Sequence, residues 1–299
     1  MKLLLLGKGG QVGWELQRAL APLGEVIAHD LDTADFSKPD EVAALVRNVR
    51  ADVVVNAAAH TAVDKAESEP ELARLINATT PAAIAREVAA TGGWLVHYST
   101  DYVFDGSGQS ARDETAQVGP LSVYGQTKLE AEQAIAASGC RYLAFRTSWV
   151  YAARGGNFAK TMLRLAAERD ALNVINDQVG APTGAELLAD VTAHALRTVH
   201  AIPDQQAANL VGLYHLVAQG EVSWFGYARH VIEWARAQGV DIRVAPDAIS
   251  PIATSAYPTP AKRPLNSRLD TRKLQSAFNL VLPHWQQGVD RMLAEYLGR

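Results

Sequence analysis

Residues 2–13, KLLLLGKGGQVG, decide the fold class of this chain. The short apolar run 2–6 is followed at once by Gly7, Gly10 and Gly13, in the spacing G-x-x-G-x-x-G. The first glycine permits a tight turn, the second lets a phosphate approach the backbone, and the third lets a helix pack close to the strand. A glycine triplet between a first strand and a first helix predicts a dinucleotide-binding turn, the alternative being a flexible turn without ligand.

Working outward from this turn, the first half of the chain alternates between two patterns. Short apolar runs typical of buried parallel strands lie at 2–6, 25–29, 52–56, 94–98 and 141–147. Alanine-rich stretches with helical periodicity lie near 11–22, 39–49, 70–90 and 123–138. Such alternation predicts an α/β fold with a Rossmann-type, doubly wound parallel sheet that is covered on both faces.

The pattern loosens after about residue 150. We expect helices at 157–169, 184–200, 223–238 and 284–297, and short strands at 172–175 and 213–217. Five prolines within 246–268 predict an extended loop. We therefore expect a dinucleotide-binding domain over residues 1–150 and mainly a smaller, irregular substrate-binding lobe over 151–299, with some later segments returning to the first domain.

Composition and charge exclude several classes of partner. The 299 residues carry a formal net charge of −4, whereas general nucleic-acid or membrane-surface binders usually have a basic excess. No stretch approaches the roughly 18 apolar residues of a membrane span, and the run 3–6 is too short for a signal peptide. The single cysteine, Cys140, excludes an internal disulfide. We expect a soluble, cytoplasmic protein with no nucleic-acid or membrane partner.

Residues at the ends of the second and third predicted strands extend the nucleotide site. Asp30 ends the second strand, where a carboxylate suits the free ribose hydroxyls of NAD and repels a 2′-phosphate, unless it merely terminates the strand. Asp35 and Phe36 follow where an adenine could rest. Small residues after the third strand, 57–59, leave room for a cofactor. His60 is either a ligand contact or a structural histidine.

Tyr124 and Lys128 form the most informative pair for chemistry. On a helix they lie one turn apart on one face. An ammonium near a phenol lowers the phenol pKa from about 10, here by roughly two to three units, and makes it a better proton donor. Thr100 ends the fourth strand, where doubly wound folds bind ligands, and could hold a substrate carbonyl. No Cys/His cluster offers a zinc site, so Tyr124 is the expected acid for carbonyl reduction.

Together these motifs resemble the extended short-chain dehydrogenase/reductase superfamily. Within it the sequence is similar, along nearly its whole length, to the branch that reduces the C4 ketone of dTDP-linked 6-deoxy sugars with NADH or NADPH. The segments that carry the resemblance are GKGGQVGWEL at 7–16, NAAAHTAVD at 56–64, STDYVF at 99–104, RTSWVY at 146–151, DQVGAPT at 177–183 and RPLNS at 263–267. The later segments are the more family-specific ones.

The resemblance implies a set of site residues. The catalytic set is Thr100, Tyr124 and Lys128. Cofactor contacts are implied for Gly10, Gln11, Val12, Asp30, Asp35, Phe36, Ala59, His60, Thr61 and Tyr98. Contacts with a sugar nucleotide are implied for Thr100, Asp101 and Trp149. Some members form a homodimer around Mg²⁺ held by glutamates, and the matching positions are Glu15, Glu186 and Glu295.

Several alternatives remain open from the residues. Lys262, Arg263 and Arg268 are candidates for binding a substrate diphosphate, or they form an exposed basic loop. An epimerase, a dehydratase or a reductase of another nucleotide sugar shares the fold and cofactor, and Asp101 beside Thr100 leaves room for a dehydratase. A non-catalytic regulatory subunit that keeps the dinucleotide pocket is a further alternative, which the intact Thr100, Tyr124 and Lys128 set disfavours.

Overall fold

The computed structural model describes residues 1–299. Its strands are β1 Lys2–Leu6, β2 Glu25–His29, β3 Val53–Asn56, β4 Trp94–Thr100, β5 Arg141–Thr147, β6 Val150–Tyr151, β7 Leu172–Ile175, β8 Val179–Gly180, β9 Thr183–Gly184, β10 Gly212–His215, β11 Val222–Ser223 and β12 Ile249–Ile252. Its α-helices are α1 Gln11–Leu20, α2 Pro39–Val49, α3 Val63–Ser68, α4 Pro70–Arg74, α5 Thr80–Thr91, α6 Val123–Ala137, α7 Phe158–Glu168, α8 Ala185–Ala201, α9 Asp204–Ala207, α10 Trp224–Ala237, α11 Arg272–Phe278 and α12 Trp285–Leu297. No helix is both long and apolar enough to cross a membrane.

Six parallel strands form the central sheet, in the order β10-β5-β4-β3-β1-β2. The chain passes from β1 to β2 on one side and then to β3 on the other, so the strand order reverses between β1 and β3. In open α/β sheets a crevice forms beyond the carboxyl ends of the strands at such a switch point. The predicted Rossmann-type fold is confirmed, and its crevice lies directly after the glycine turn.

Alternate residues of the central strands supply two separate cores. Leu3 and Leu5 of β1 pack on one face of the sheet against α1 and α8, while Leu4 and Leu6 pack on the other face against α2 and α5. This follows from the two-residue side-chain period of a strand. Each fully buried leucine contributes about 1.5–3 kcal/mol, so a continuous apolar run is stable only between two helical layers.

Two segments differ from their predicted form. The helix predicted near 70–90 is divided into α4, a π-helical turn at Leu75–Thr79, and α5. The region 246–268, predicted as an extended loop, contains β12, which pairs in parallel with β7. The proline count was therefore misleading, because an edge strand tolerates Pro251, whose missing N–H need not serve a ladder on both sides.

The second half of the chain contributes to both layers of the molecule. β10 is the sixth strand of the central sheet, and α8 packs against α1. A separate apolar core, with Tyr151, Tyr227 and Trp285 at its centre, joins α7, α10 and α12 beside the sheet. Segments after residue 150 therefore return to the nucleotide half, while the division into domains at residues 150 and 151 stays a prediction.

Candidate active site

A cavity of about 740 Å³ opens at the carboxyl ends of β1, β3 and β4. It brings together residues that lie far apart in the sequence. Among the predicted site residues its walls contain Gly7, Gly10, Gln11, Val12, Asp30, Asp35, Phe36, Ala59, His60, Thr61, Tyr98, Thr100, Asp101, Tyr124, Lys128 and Trp149. Gly13, Lys262, Arg263 and Arg268 do not line it.

A second cleft of similar volume lies at the amino ends of the strands. Two of its three arginines are paired: Arg47 with Glu87 at 2.5 Å, and Arg141 with Asp204 at 3.3 Å. None of the predicted site residues lies in it. The chemistry of this chain therefore belongs to the cavity at the carboxyl ends.

The glycine turn is shaped by close backbone contacts. Gly7 has φ of 86°, and a Cβ there would lie 2.7 Å from the Ala58 nitrogen. A Cβ on Gly13 would lie 1.9 Å from the Gly7 carbonyl oxygen, so this glycine lets α1 start directly against the turn without facing the cavity. Gly10 is the N-cap of α1 and no side chain caps that helix. Its first N–H groups are therefore free to bind an anion.

Asp30 and its neighbours form the far end of the nucleotide half. The Asp30 carboxylate accepts a hydrogen bond from the Leu31 N–H at 3.0 Å and lies against Gly9, where a Cβ would come within 2.2 Å of it. The Ser37 hydroxyl and N–H donate to Asp35 and lower the pKa of its carboxyl group. Phe36 is almost fully buried in the core beneath. All three predicted positions line the cavity.

His60 is held by a residue that the sequence did not reveal. The His60 N–H donates to Asn77 Oδ1 at 2.8 Å, and Asn77 Nδ2 donates back to the His60 carbonyl at 3.1 Å. The buried His60 Nδ1 has no protein partner. The main chain of His60 is fixed by two hydrogen bonds, and one of its ring nitrogens has no partner although the residue lines the cavity. This arrangement favours a ligand contact over a structural histidine whose hydrogen bonds are all made. Asn77 lies within a helical stretch and carries no local sign of this role.

Lys128 is completely buried beneath the catalytic half of the cavity. Its Nζ donates to the Tyr98 carbonyl at 2.5 Å and lies 3.4 Å from His97 Nε2. Burial lowers the pKa of Lys128 to about 8, although the carboxylate of Glu132 acts in the opposite direction. The lysine can therefore gain and lose a proton near neutral to mildly alkaline pH.

Tyr124 lies in the first turn of α6. Ser122 caps this helix by accepting from the Gly125 N–H at 3.2 Å, and the Tyr102 ring packs edge-on against Tyr124 with centroids 5.6 Å apart. Burial raises the pKa of Tyr124 to about 12, partly offset by a hydrogen bond with Thr100. The net shift of this pKa is therefore opposite to the expected one, because the effect of burial exceeds any lowering by Lys128.

Thr100 and Asp101 form a buried polar pair at the end of β4. The Thr100 hydroxyl donates to Asp101 Oδ1 at 3.0 Å and accepts from the Tyr102 N–H at 3.2 Å. Burial raises the pKa of Asp101 to about 6, while hydrogen bonds from Ser267 and Thr100 lower it. Asp101 Oδ2 is buried without a partner. Because an unpartnered buried oxygen is costly, this atom is suited to receive a substrate hydroxyl.

Tyr98 and Trp149 line the cavity in different ways. The Tyr98 phenol bonds to Thr192 Oγ1 at 2.6 Å within the core, so the implied cofactor contact of Tyr98 is left to its main chain. Trp149 has φ of 51° and stacks on Trp224 with ring centroids 3.6 Å apart. A tryptophan in this backbone region costs on the order of 1–3 kcal/mol. Trp224, which no motif indicated, thus also lines the cavity.

The predicted diphosphate cluster is not assembled at the cavity. Arg263 binds Asp64 at 2.7 Å, and Arg268 binds Glu221 at 2.6 Å. Lys262 is exposed. Because two of the three cations are paired with carboxylates and none lines the cavity, the structure does not place them as a diphosphate site.

The three glutamates implied for magnesium do come together. Glu15, Glu186 and Glu295 line one surface pocket with Arg18 and Arg291. Burial raises the pKa of Glu186; Arg291 opposes this, and the other two glutamates add to it. Glu15 lies 3.3 Å from Arg18, and Glu186 lies 3.7 Å from Arg291. The three side chains are not arranged as a metal-binding cluster within one chain, so the magnesium site stays a prediction.

The parallel sheet, the glycine turn and the Thr100, Tyr124 and Lys128 arrangement define a protein of the short-chain dehydrogenase/reductase class. The model of the RmlD substrate binding domain family matches residues 1–297, and the chain belongs to that family.

Similar proteins support this assignment. The chain is 58% identical over 299 residues to the dTDP-4-dehydrorhamnose reductase of Escherichia coli K12, covering 99% of this chain and 98% of that protein. The solved dTDP-4-dehydrorhamnose reductase of Bacillus anthracis in complex with NADP superposes with a TM-score of 0.88 at 32% identity, covering 99% of this chain and all of that one. The Clostridium acetobutylicum structure described as a dTDP-4-dehydrorhamnose reductase superposes with a TM-score of 0.86 at 35% identity, with full coverage of both chains.

Proposed function

We propose that this chain reduces the C4 ketone of dTDP-4-dehydro-6-deoxy-L-mannose to dTDP-L-rhamnose, with NADH or NADPH as reductant. The observation that carries the proposal is the single cavity, which contains both the glycine turn and Thr100, Tyr124 and Lys128. The relatives of highest identity reported above are named dTDP-4-dehydrorhamnose reductases, and their similarity spans the whole chain. The protein is therefore an NAD(P)H-dependent oxidoreductase of nucleotide-sugar biosynthesis.

The residues present fit a dinucleotide. The uncapped start of α1 and the turn at Gly7 and Gly10 would hold the diphosphate, and Asp30 would bind the ribose at the open end. His60 lines the same cavity and would serve as a further contact. When bound, the reduced nicotinamide supplies the hydride for the carbonyl carbon.

Tyr124 is the proposed proton donor. As the carbonyl oxygen gains negative charge, the phenol O–H bond breaks and its proton goes to that oxygen, which leaves a phenolate. The Thr100 hydroxyl, next to the phenol, orients the carbonyl toward it. The Lys128 ammonium, one helical turn away, stabilises the phenolate. Asp101 and Trp149 would bind the sugar nucleotide.

Three further properties belong to the proposal. We place the protein in the cytoplasm, with residues 151–299 acting mainly as the substrate lobe. Glu15, Glu186 and Glu295 would contribute to a homodimer contact if two copies bring their surface pockets together around Mg²⁺, which would have to displace Arg18 and Arg291 from the carboxylates. Lys262, Arg263 and Arg268 remain candidates for the substrate diphosphate, the two arginines only if their pairs with Asp64 and Glu221 open.

A direct assay tests the proposal. Purified protein is mixed with dTDP-linked or GDP-linked 4-keto-6-deoxy sugars, and the absorbance of NADH or NADPH is followed while the product is identified by chromatography. We expect one reduced cofactor consumed per dTDP-L-rhamnose formed. An epimerase or dehydratase would change the sugar with no net consumption, and a regulatory subunit would bind cofactor without turnover; either result would reject the reductase.

A further inference from the structure

Two polar residues lie buried directly beneath the catalytic lysine, outside the cavity. Asn56 ends β3 and His97 lies opposite it on β4 in the sheet register. Each is 1% exposed, and neither lines the cavity. Because this buried polar pair does not line the cavity, ligand binding does not explain it. The ionisable group in contact with the pair is the Nζ atom of Lys128.

The hydrogen bonds of Asn56 determine where His97 carries its proton. Asn56 Oδ1 accepts from the Ala58 N–H at 3.0 Å, so the amide Nδ2 faces His97 Nδ1 at 3.2 Å. An amide nitrogen only donates, and His97 Nδ1 must therefore be the acceptor. Burial and the charge of Lys128 hold the pKa of His97 well below its ordinary value. The neutral imidazole then has its single proton on Nε2.

This proton points at Lys128. His97 Nε2 lies 3.4 Å from Lys128 Nζ. An ammonium has three donors and no acceptor, so a charged lysine cannot accept a hydrogen bond from the imidazole N–H. Two donors then face each other. A neutral amine has a lone pair and accepts from it. The Tyr98 carbonyl accepts from the lysine in both states. The pair thus favours the uncharged lysine.

The charged groups around Lys128 do not cancel this preference. On its own helix, Tyr124 is a neutral phenol and Glu132 is an anion. Glu132 is held by Arg146 of β5 through two hydrogen bonds of 2.6 and 2.9 Å, so its charge is compensated. Asp101, at the end of β4, lines the same cavity but accepts its hydrogen bonds from Thr100 and Ser267. Neither carboxylate forms a hydrogen bond or an ion pair with Lys128, whose Nζ contacts only His97 and the Tyr98 carbonyl.

We propose that Asn56 and His97 are positioning residues that set the proton occupancy of Lys128. The charged lysine is the active form because only an ammonium stabilises the phenolate left after proton donation. Activity therefore falls as pH rises through the lysine pKa. Burial lowers that value to about 8.

The occupancy of Lys128 can be measured without any substrate. The chain has eight lysines, so a carbon NMR titration of the lysine side chains resolves the buried one. We expect one midpoint about two pH units below the ordinary lysine value of about 10.4. Nitrogen-correlated NMR of the imidazole rings should find His97 protonated on Nε2. A ring protonated on Nδ1, or a buried lysine with an ordinary midpoint, would overturn the proposal.

Two variants test whether Asn56 and His97 determine the protonation of Lys128. In His97→Gln the amide oxygen can turn to accept from the ammonium. In Asn56→Asp the carboxylate accepts from His97 Nδ1, which moves the imidazole proton and presents the Nε2 lone pair to Lys128. Both changes should raise the lysine midpoint by at least one pH unit, and the alkaline midpoint of kcat by the same amount.

Thr127→Val is the matched control. It removes another fully buried polar group from α6, one that bonds to Asn77 and not to Lys128. Its lysine midpoint should stay unchanged. If either variant folds, judged by thermal unfolding, and leaves the midpoint in place, the proposal fails. The alkaline-activity part rests on the proposed reductase function. A low lysine midpoint in a protein without reductase activity would reject that function and keep the lysine assignment.

Discussion

The two halves of the cavity are formed by different kinds of chemical group. The nucleotide half is main chain and small side chains: Gly7, Gly10 and Gly13 leave space that any Cβ would reduce or fill. The catalytic half is a set of buried polar side chains, in which Lys128 contacts His97 and the Tyr98 carbonyl. One half is therefore sensitive to a single methyl group, and the other to a single proton or charge.

This difference follows from what each half must recognise. A dinucleotide diphosphate is bound by backbone N–H groups at a helix start, which requires close approach and no particular side chain. Reduction of a carbonyl requires charge to be stabilised as it develops, which requires fixed dipoles and protons in a water-poor site. Polar groups buried for that purpose must then be satisfied by other buried polar groups, and Glu132, paired with both Ser99 and Arg146, is one of these.

In the catalytic half, we expect the largest loss of activity from a substitution at Tyr124. Tyr124→Phe removes the proton donor and keeps the ring, so we expect kcat to fall by on the order of 10²–10⁴ with the dissociation constant of the cofactor almost unchanged. Steady-state kinetics and cofactor titration by fluorescence measure the two quantities. Tyr257→Phe is the matched control, because Tyr257 is 58% exposed and lies outside the cavity. Normal turnover of the Tyr124 variant would remove this residue from the mechanism.

The buried charges of the same half give the largest effect on stability. Glu132→Gln leaves Arg146, whose side chain is only 4% exposed, without its carboxylate, and should lower the free energy of unfolding by about 3–5 kcal/mol. Urea unfolding measures this. The control is Glu233→Gln, since the pair with Arg229 is exposed and its loss should cost at most about 1 kcal/mol. Equal losses in both variants would show that the burial of the first pair has no energetic consequence.

The nucleotide half should respond to one added methyl group. In Gly13→Ala the new Cβ would lie 1.9 Å from the Gly7 carbonyl, so α1 must move away from the turn. We expect a loss of about 1–3 kcal/mol in stability and at least a tenfold weaker binding of NADH. Gly156→Ala, where a Cβ meets no atom within 4 Å, should change neither. Unchanged cofactor affinity in the Gly13 variant would mean that the spacing of turn and helix does not shape the site.

The same contrast explains what could be predicted from the sequence. The glycine turn and the Tyr124 and Lys128 pair are local, since each spacing is a property of one turn or one helix. The partners of these residues are not local. Lys128 meets the Tyr98 carbonyl 30 residues earlier, and His60 is clamped by Asn77, 17 residues later. No periodicity or motif encodes such contacts, because they depend on how strands and helices pack.

The errors have the same origin. The pKa of Tyr124 moves upward because the folded chain removes the phenol from water, and burial cannot be read from a four-residue spacing. Arg263, a candidate for binding the substrate diphosphate, is paired with Asp64, 199 residues away. Charge balance between distant segments is a property of the tertiary structure. The pairing of Arg263 could therefore not be predicted from the sequence, and its role in diphosphate binding stays a prediction.

The smallest expected effect concerns the choice of cofactor at the open end of the nucleotide half. Asp30 is a carboxylate that accepts only from its neighbour's N–H, so it can bind a ribose hydroxyl and repels a 2′-phosphate. Asp30→Ala should raise KM for NADH, lower KM for NADPH, and shift the ratio of the two kcat/KM values about tenfold, or about 1.4 kcal/mol, toward NADPH. The matched control is Asp32→Ala, an exposed aspartate in the same turn that does not line the cavity and should leave the ratio unchanged. Equal ratios in the wild-type and Asp30 proteins would show that the carboxylate does not face the ribose, and that the shape of the glycine turn alone accepts either cofactor.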